Sequence, residues 1–283
     1  MAIRLLALDL DGTLLGHDNT LLPVDARAIA RARTAGIEVT LATGRLASGT
    51  LPTAQKLGLT APLVCGDGAV VLNALSGEVM VQVSLDPALV EDLTHAIGHN
   101  GLSALWFTQD EIHAEDGVEG LLEYIRTWSP RISMHPRLHG SPAWEHRHRV
   151  AMALGIGARA CVDKVVGHLA AKHPGATQVA AFQAWRSDQW TLLVRNAHVD
   201  KATGLARVIE PMGIRPEEVA VVGDWINDIP MFRWAGRSFV MGQSPDDVAR
   251  HATDRLRATH LSGGGVAEAI ARILDRADSD ALE

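Results

Sequence analysis

The feature that most constrains the fold is an apolar run near the N-terminus that ends in two acids. Residues 3–8 are apolar apart from Arg4, which is the length and character of a buried strand. Asp9 and Asp11 follow, and Gly12 directly after them permits a sharp turn. Residues two apart in an extended chain point the same way, and ligands of open α/β sheets gather beyond the carboxyl ends of strands. The sequence therefore predicts a strand that directs two carboxylates into one crevice.

A second apolar run, far downstream, ends in the same manner. Residues 219–222 are all aliphatic, and Asp224 and Asp228 follow them within a few residues. Together with the first pair, these acids would place four carboxylates at two strand ends. Such a hard, oxygen-rich site is the kind that binds Mg²⁺.

Two further stretches carry groups suited to an anion. Thr43, Gly44 and Arg45 follow a strand predicted over 38–41, and Lys201 stands where a helix is predicted to begin. They offer a hydroxyl, a backbone N–H and an ammonium, which are the groups that bind a phosphate. The pattern therefore indicates a phosphate site beside the acids.

Composition narrows the class of protein. A chain of 283 residues predicts about two domains, and its 47% hydrophobic and 21% charged content is that of an ordinary globular protein. The net charge of −7 argues against a nucleic-acid partner. Two cysteines are too few for a disulfide scaffold, and we find neither a signal-peptide pattern nor a long apolar run. We expect a cytoplasmic protein with no membrane partner.

The order of the predicted elements indicates the architecture. Strands and helices alternate at both ends of the chain, which predicts a Rossmann-like, doubly wound parallel sheet with right-handed crossovers. A hairpin-like stretch at 70–83 leads into an α+β insertion. We therefore predict a core formed by 1–81 and 188–283 and an inserted domain formed by 82–187.

These stretches, in their order and spacing, resemble the four motifs of the haloacid dehalogenase-like (HAD) hydrolase superfamily. The motifs are Asp9-x-Asp11-Gly-Thr-Leu, Thr43-Gly-Arg45, Lys201 and Gly223-Asp224-x-x-Asn227-Asp228. The match is most similar to the Cof-type phosphatases, which carry a large α/β (C2-type) cap between the second and third motifs. The resemblance implies a catalytic core with an inserted cap that selects the substrate.

The resemblance also implies roles for these residues. Asp9 would attack phosphorus and become an aspartyl phosphate, and Asp11 would act as general acid and then general base. Mg²⁺ would be held by Asp9, the backbone carbonyl of Asp11 and Asp224, with Asp228 acting through a water molecule. Thr43, Gly44, Lys201 and Asn227 would bind the phosphoryl group.

Three other residues have two interpretations each. Arg45 would contact either the phosphate or the cap, or else form a surface salt bridge. Asp67 stands where the family usually has Asn, so it would either add negative charge near the phosphate or form a turn. Trp225 would line the substrate pocket or pack in the interior. A histidine-rich segment over 135–149 is a weak metal signal and is better interpreted as an exposed cap loop.

The function indicated is a Mg²⁺-dependent phosphatase of small phosphorylated metabolites. A sugar phosphate is the default substrate, and a phosphorylated flavin precursor or pyridoxal phosphate is an alternative. A phosphosugar mutase of the same superfamily would use the same acids and differ in its product. A non-catalytic signalling protein that carries a phosphoaspartate is a third possibility, although Asp11 and the inserted domain count against it.

Overall fold

A computed structural model describes residues 2–16, 19–184 and 187–280. The strands are β1 Leu5–Leu8, β2 Glu38–Leu41, β3 Leu63–Cys65, β4 Val70–Leu72, β5 Val79–Gln82, β6 Ser103–Phe107, β7 Ile112–Glu115, β8 Ile132–His135, β9 Met152–Gly157, β10 Thr177–Gln183, β11 Trp190–Asn196, β12 Val219–Gly223, β13 Arg237–Val240 and β14 Asp254–Arg255. The α-helices are α1 Pro23–Thr34, α2 Ala47–Lys56, α3 Pro87–His99, α4 Leu122–Ile125, α5 Arg159–Lys172, α6 Lys201–Ile209, α7 Ile229–Trp234, α8 Asp246–Ala249 and α9 Gly265–Asp280.

The chain divides into two compact units. The first comprises 1–44, 50–80 and 200–283, and the second comprises 45–49 and 81–199. Strand β11 belongs to the second unit because it pairs with β9 and β10, so the chain returns to the first unit at residue 200. The stretch 45–49 joins the second unit through contacts such as the hydrogen bond from the Leu46 N–H to the Trp128 carbonyl. The functional division into core and cap at 82 and 188 stays a prediction.

The first unit contains a five-stranded parallel sheet in the order β14-β13-β12-β1-β2. Its central strands follow directly from the aliphatic runs in the sequence, and β1 is fully buried between β2 and β12. Continuous apolar strands of this kind are typical of parallel sheets covered on both faces. The predicted doubly wound α/β fold is confirmed.

A buried carboxylate fastens two helices of the first unit to each other. Asp25 in α1 is only 2% exposed, and its oxygens accept hydrogen bonds from the N–H groups of Gly264 (3.2 Å) and Ala267 (2.8 Å) at the start of α9. Burial raises the pKa of Asp25 even though these N–H donors lower it. A side chain from a neighbouring helix therefore satisfies N–H groups that a helix start leaves unpaired.

The second unit is built on a six-stranded sheet in the order β10-β11-β9-β6-β7-β8. Alternate residues of β6 enter different clusters: Ala104 and Trp106 pack with residues of α3 and α5, whereas Leu105 and Phe107 pack with a second apolar group that includes Ile125 of α4. This alternation is the two-residue period of a strand, and it gives the unit a core on each face of its sheet.

One acid joins the two long helices of the second unit. Asp92 in α3 accepts hydrogen bonds from His168 Nε2 (2.7 Å), His173 Nε2 (2.9 Å) and Lys172 at the end of α5. We call this group the Asp92 cluster. Burial raises the pKa of Asp92, but these donors outweigh burial and hold it well below the ordinary value.

Among the residues described, no helix is both long and apolar enough to cross a lipid bilayer.

Candidate active site

The register of the parallel sheet brings three strand ends level with one another. Leu8 of β1 pairs with Leu41 of β2 on one side and with Val222 of β12 on the other. The next residue, Asp9, still donates its N–H to the Val222 carbonyl at 2.9 Å. The motifs that follow the three strands therefore emerge at one edge of the sheet, as the sequence predicts.

A buried lysine occupies the centre of this edge. Lys201 has no exposed surface, and its Nζ lies 2.6 Å from Asp9 Oδ1 and 2.6 Å from Asp228 Oδ1. Asp200 caps α6 by accepting the Thr203 N–H at 2.8 Å, which starts the helix at this lysine. Gly204, one turn further along α6, lets the helix pack closely against Gly68, because a Cβ on Gly204 would lie 2.8 Å from the Cα of Gly68. Helix α6 thus delivers the ammonium to the two carboxylates.

Asp228 uses both carboxylate oxygens in hydrogen bonds. Oδ1 accepts from Lys201, and Oδ2 accepts from the backbone N–H groups of Asp224 (2.8 Å) and Trp225 (3.0 Å). Gly223 makes room for this arrangement, since a Cβ there would lie 2.5 Å from Asp228 Cγ. Asp228 therefore anchors Lys201 and folds the loop that presents Asp224.

Burial and mutual repulsion raise the pKa values of Asp9 and Asp224. Burial raises the pKa of Asp9 well above its ordinary value; Lys201 lowers it, while Asp228, Asp224 and Asp11 raise it further. Burial and Asp228 raise the pKa of Asp224 to about 7. Burial lowers the pKa of Lys201, but Asp228, Asp9 and Asp67 outweigh burial and raise it overall. An excess of buried carboxylate over ammonium is an environment that a divalent cation stabilises.

The donor set fits such a cation. Asp9, Asp224 and Asp228 each offer a carboxylate oxygen, and these three oxygens lie within 4.8 Å of one another. Mg²⁺ needs few protein ligands because it keeps several waters. The hydrogen bonds of Asp228 leave Asp9 and Asp224 as the carboxylates best suited to direct ligation. Asp11 is exposed and close enough to Asp9 to raise the pKa of Asp9 further, and its role as general acid and base stays a prediction.

Gln243 is a site residue that the sequence does not reveal. Its Nε2 donates to the Gly12 carbonyl at 2.7 Å and to Asp224 Oδ2 at 3.4 Å, and its Oε1 accepts the His260 N–H at 3.0 Å. Gly12 has a φ of +80°, and a Cβ there would lie 2.4 Å from Asp224 Oδ2. The one signal available was its position, three residues after β13 at the same edge of the sheet.

The predicted phosphate-binding residues surround Asp67. The Asp67 N–H donates to the Thr43 carbonyl at 2.9 Å, and Asp67 Oδ1 accepts from Asn227 Nδ2 at 2.9 Å. A Cβ on Gly44 would lie 3.3 Å from the same oxygen. Asp67 is 4% exposed and adopts a left-handed φ of 52°. The structure thus brings Thr43, Gly44, Asp67 and Asn227 together, although their catalytic roles stay predictions.

The remaining candidates are Arg45, Trp225 and the histidine-rich segment. Arg45 is buried, and its contacts assign it to the second unit. Trp225 is 55% exposed, so the interior packing considered for it is wrong. In the histidine-rich segment over 135–149, His135 Nε2 lies 3.3 Å from His113 Nδ1. Within the described part of the chain, the acids are the one group of three or more side chains arranged to hold a metal.

Comparison with known proteins agrees with this fold. A sequence model of the family described as haloacid dehalogenase-like hydrolase matches residues 6–270. The chain belongs to this family and is an enzyme of its Cof-type phosphatase branch, as the motifs predict.

Individual relatives align over nearly their full length. Pyridoxal phosphate phosphatase YbhA of Escherichia coli is 26% identical, with 97% of this chain and 98% of that protein covered. A 5-amino-6-(5-phospho-D-ribitylamino)uracil phosphatase of Bacillus subtilis, YitU, is 25% identical, with 92% and 94% covered. The crystal structure of a haloacid dehalogenase-like hydrolase from Bacteroides thetaiotaomicron superposes with a TM-score of 0.81 at 27% identity, covering 96% of this chain and 99% of that one.

Proposed function

We propose that this protein is a Mg²⁺-dependent phosphatase that hydrolyses small phosphorylated metabolites through an aspartyl phosphate on Asp9. The observation that carries the proposal is the buried Lys201, hydrogen-bonded at 2.6 Å to both Asp9 and Asp228 beside the acid Asp224. A nucleophilic carboxylate and an approaching phosphate are both negative, so a nearby positive charge is needed to reduce their repulsion. Lys201 supplies one positive charge at this point.

Mg²⁺ would be held by Asp9, the Asp11 carbonyl and Asp224, and it supplies charge neutralisation for the phosphoryl oxygens. Asp228 would act on it through water while holding Lys201 in place. The Thr43 hydroxyl, the Gly44 N–H and the Asn227 amide would orient the phosphoryl group. Each of these residues contacts, or is close to, another of the same set, which supports a single site.

The reaction proceeds in two displacements. An Asp9 oxygen forms a bond to phosphorus while the ester P–O bond breaks, and Asp11 gives its proton to the departing oxygen. Asp11 then takes a proton from water, whose oxygen attacks phosphorus and releases inorganic phosphate and the Asp9 carboxylate. The exposure of Asp11 supports this role, because both the leaving group and the water must reach it.

The substrate class proposed is a small phosphomonoester, such as a sugar phosphate or a phosphorylated cofactor or its precursor. The named substrates of the two relatives, pyridoxal phosphate and a phosphoribitylamino-uracil, support this range. We propose that the insertion at 82–187 acts as the cap that selects among them. A cytoplasmic location, with no nucleic-acid or membrane partner, is part of the same proposal and rests on the sequence.

The test is an assay of the purified protein with an aryl phosphate, with and without Mg²⁺. Wild type is compared with Asp9→Asn and with Asp247→Asn, an exposed acid that provides the same charge change away from the site. We expect metal-dependent phosphate release that is lost in Asp9→Asn and kept in Asp247→Asn. Release that persists in Asp9→Asn contradicts the proposed nucleophile. In a parallel incubation with a sugar phosphate, isomerisation without released phosphate would identify a mutase instead.

A further inference from the structure

Asp67 links two predicted phosphate-binding stretches that are far apart in sequence. Its N–H bonds to the carbonyl of Thr43, and its carboxylate accepts the amide of Asn227 and lies against the bare Cα of Gly44. The Asp67 carboxylate also acts on Lys201. Burial lowers the pKa of Lys201, and Asp228, Asp9 and Asp67, in that order of size, raise it. Asp67 therefore stands among the groups expected to bind phosphate.

Neither the left-handed backbone of Asp67 nor its hydrogen bond with Asn227 by itself requires an acid. Asn adopts a left-handed φ of 52° as readily as Asp does, and an amide oxygen would accept the Asn227 N–H equally well. Compared with Asn, Asp67 adds one negative charge. Asp67 is only 4% exposed, so bulk solvent screens its charge poorly.

We infer that Asp67 has two effects on the proposed phosphatase site: it positions the Asn227 amide, and its charge weakens the binding of inorganic phosphate. The inference rests on the proposed function, since it concerns the product of that reaction. Inorganic phosphate is held by the phosphate-binding groups alone, whereas an ester also gains binding from the rest of its molecule. The same repulsion acts on the phosphoryl group of a bound ester, but the other contacts of the ester offset it, whereas the product has no such contacts and is released more readily.

The experiment compares wild type with Asp67→Asn, Asp67→Gly and the exposed control Asp247→Asn. Asp67→Asn removes the charge and keeps an acceptor for Asn227. Asp67→Gly removes both without straining the left-handed backbone. Four quantities are measured: kcat, KM, the inhibition constant of inorganic phosphate, and the Kd of inorganic phosphate by calorimetry in saturating Mg²⁺. Thermal unfolding establishes that each variant is folded.

For Asp67→Asn we expect phosphate to bind about tenfold more tightly or better, because a buried unit charge of the same sign is removed at short range. KM should fall by a similar factor, and kcat should stay within about threefold. For Asp67→Gly phosphate should also bind more tightly, but kcat should fall about tenfold below that of Asp67→Asn, because Asn227 loses its acceptor. The control should match wild type.

Two results would overturn the inference. Phosphate constants within twofold of wild type in Asp67→Asn would show that the charge does not act on phosphate. Equal kcat values in Asp67→Asn and Asp67→Gly would show that Asp67 does not position Asn227. Calorimetry keeps this test separate from the proposed function: a wild type that hydrolyses no ester contradicts the phosphatase, whereas the phosphate affinities of the variants still decide the role of Asp67.

Discussion

Replacing Lys201 by Met should destabilise the first unit strongly. Methionine is close to lysine in length and volume, so the change removes the ammonium with little change in packing. Two carboxylates that each lie 2.6 Å from Nζ then lose their buried counter-charge. Removing one partner of a buried ion pair costs about 3–5 kcal/mol, and we expect a loss of unfolding free energy in that range.

The assay is urea denaturation, with hydrogen exchange at β1 and β12 so that the signal reports the first unit. Lys56→Met is the matched control, because Lys56 is an exposed lysine of the same unit and its loss should change stability by less than about 0.5 kcal/mol. The double variant Lys201→Met/Asp228→Asn removes the stranded charge of Asp228. It should be more stable than the sum of the single effects predicts, by about 1–3 kcal/mol.

Either of two outcomes would refute the argument. A loss below about 1 kcal/mol in Lys201→Met would mean that the carboxylates do not depend on the ammonium. Strict additivity in the cycle would mean that Lys201 and Asp228 do not act as a pair, whatever their distance. Added Mg²⁺ provides a further check: it should stabilise Lys201→Met more than it stabilises Lys56→Met, since a cation among the acids replaces part of the lost charge.

Two further predictions concern residues outside the lysine pair. Asp92→Asn should destabilise the second unit by about 1 kcal/mol at pH 6, and the difference from wild type should shrink as the pH falls below about 4. This sign follows because the pKa of Asp92 is lowered in the folded state, so the carboxylate stabilises the fold above its ordinary pKa and stops doing so as it protonates. Urea denaturation of both proteins between pH 3 and 6 measures the difference in stability. A difference that does not change with pH contradicts the prediction. Gln243→Ala should raise the Mg²⁺ concentration needed for half-maximal activity several-fold, because Gly12 and Asp224 lose their common donor. A Mg²⁺ titration of phosphatase activity measures the effect, and an unchanged midpoint would show that Gln243 does not support the metal site.

Much of the first unit could be predicted because its signals are local. The sequence predicts strands at 38–41 and 63–65, and the structure has both with these bounds, because 39–41 contains residues favoured in strands and 63–65 is apolar between Pro62 and Gly66. The sequence also predicts that a helix starts at Pro23, and α1 begins there, because proline is favoured in the first turn of a helix. The acids of the site could be placed for the same reason: each follows an aliphatic run, and parallel strands end at a common edge.

The errors lie where tertiary contacts decide. The sequence predicts a short helix over 51–57, but α2 begins earlier, at Ala47, where Leu46 and Gly49 contact the Trp128 carbonyl. The sequence predicts another helix near 118–128, but the α-helix there is reduced to Leu122–Ile125, because Gly120 weakens its first turn. Strand β8 was not predicted, since its sequence has no strong pattern and its pairing with β7 is long-range.

The same limit applies within the site. The hydrogen bond between Asn227 and Asp67 joins residues 160 positions apart, and no local pattern relates them. Gln243 carries no motif at all, and its contacts with Gly12 and Asp224 arise from the meeting of three loops. Motifs therefore predict the residues proposed to perform chemistry, whereas the contacts that hold these residues in place emerge only from the folded chain.

The three-part construction of the first unit has a consequence for folding during synthesis. Strand β1 obtains β2 as a neighbour within the first 41 residues, but its other neighbour, β12, begins at Val219. Residues 81–199 leave the ribosome between these two events, and they form a compact unit of their own. A nascent chain therefore exposes one edge of β1 until the ribosome has passed β12. Over that interval Asp9 has neither Lys201 nor Asp224 beside it, so the proposed phosphate site can form only late, once β1 gains β12 as its second neighbour.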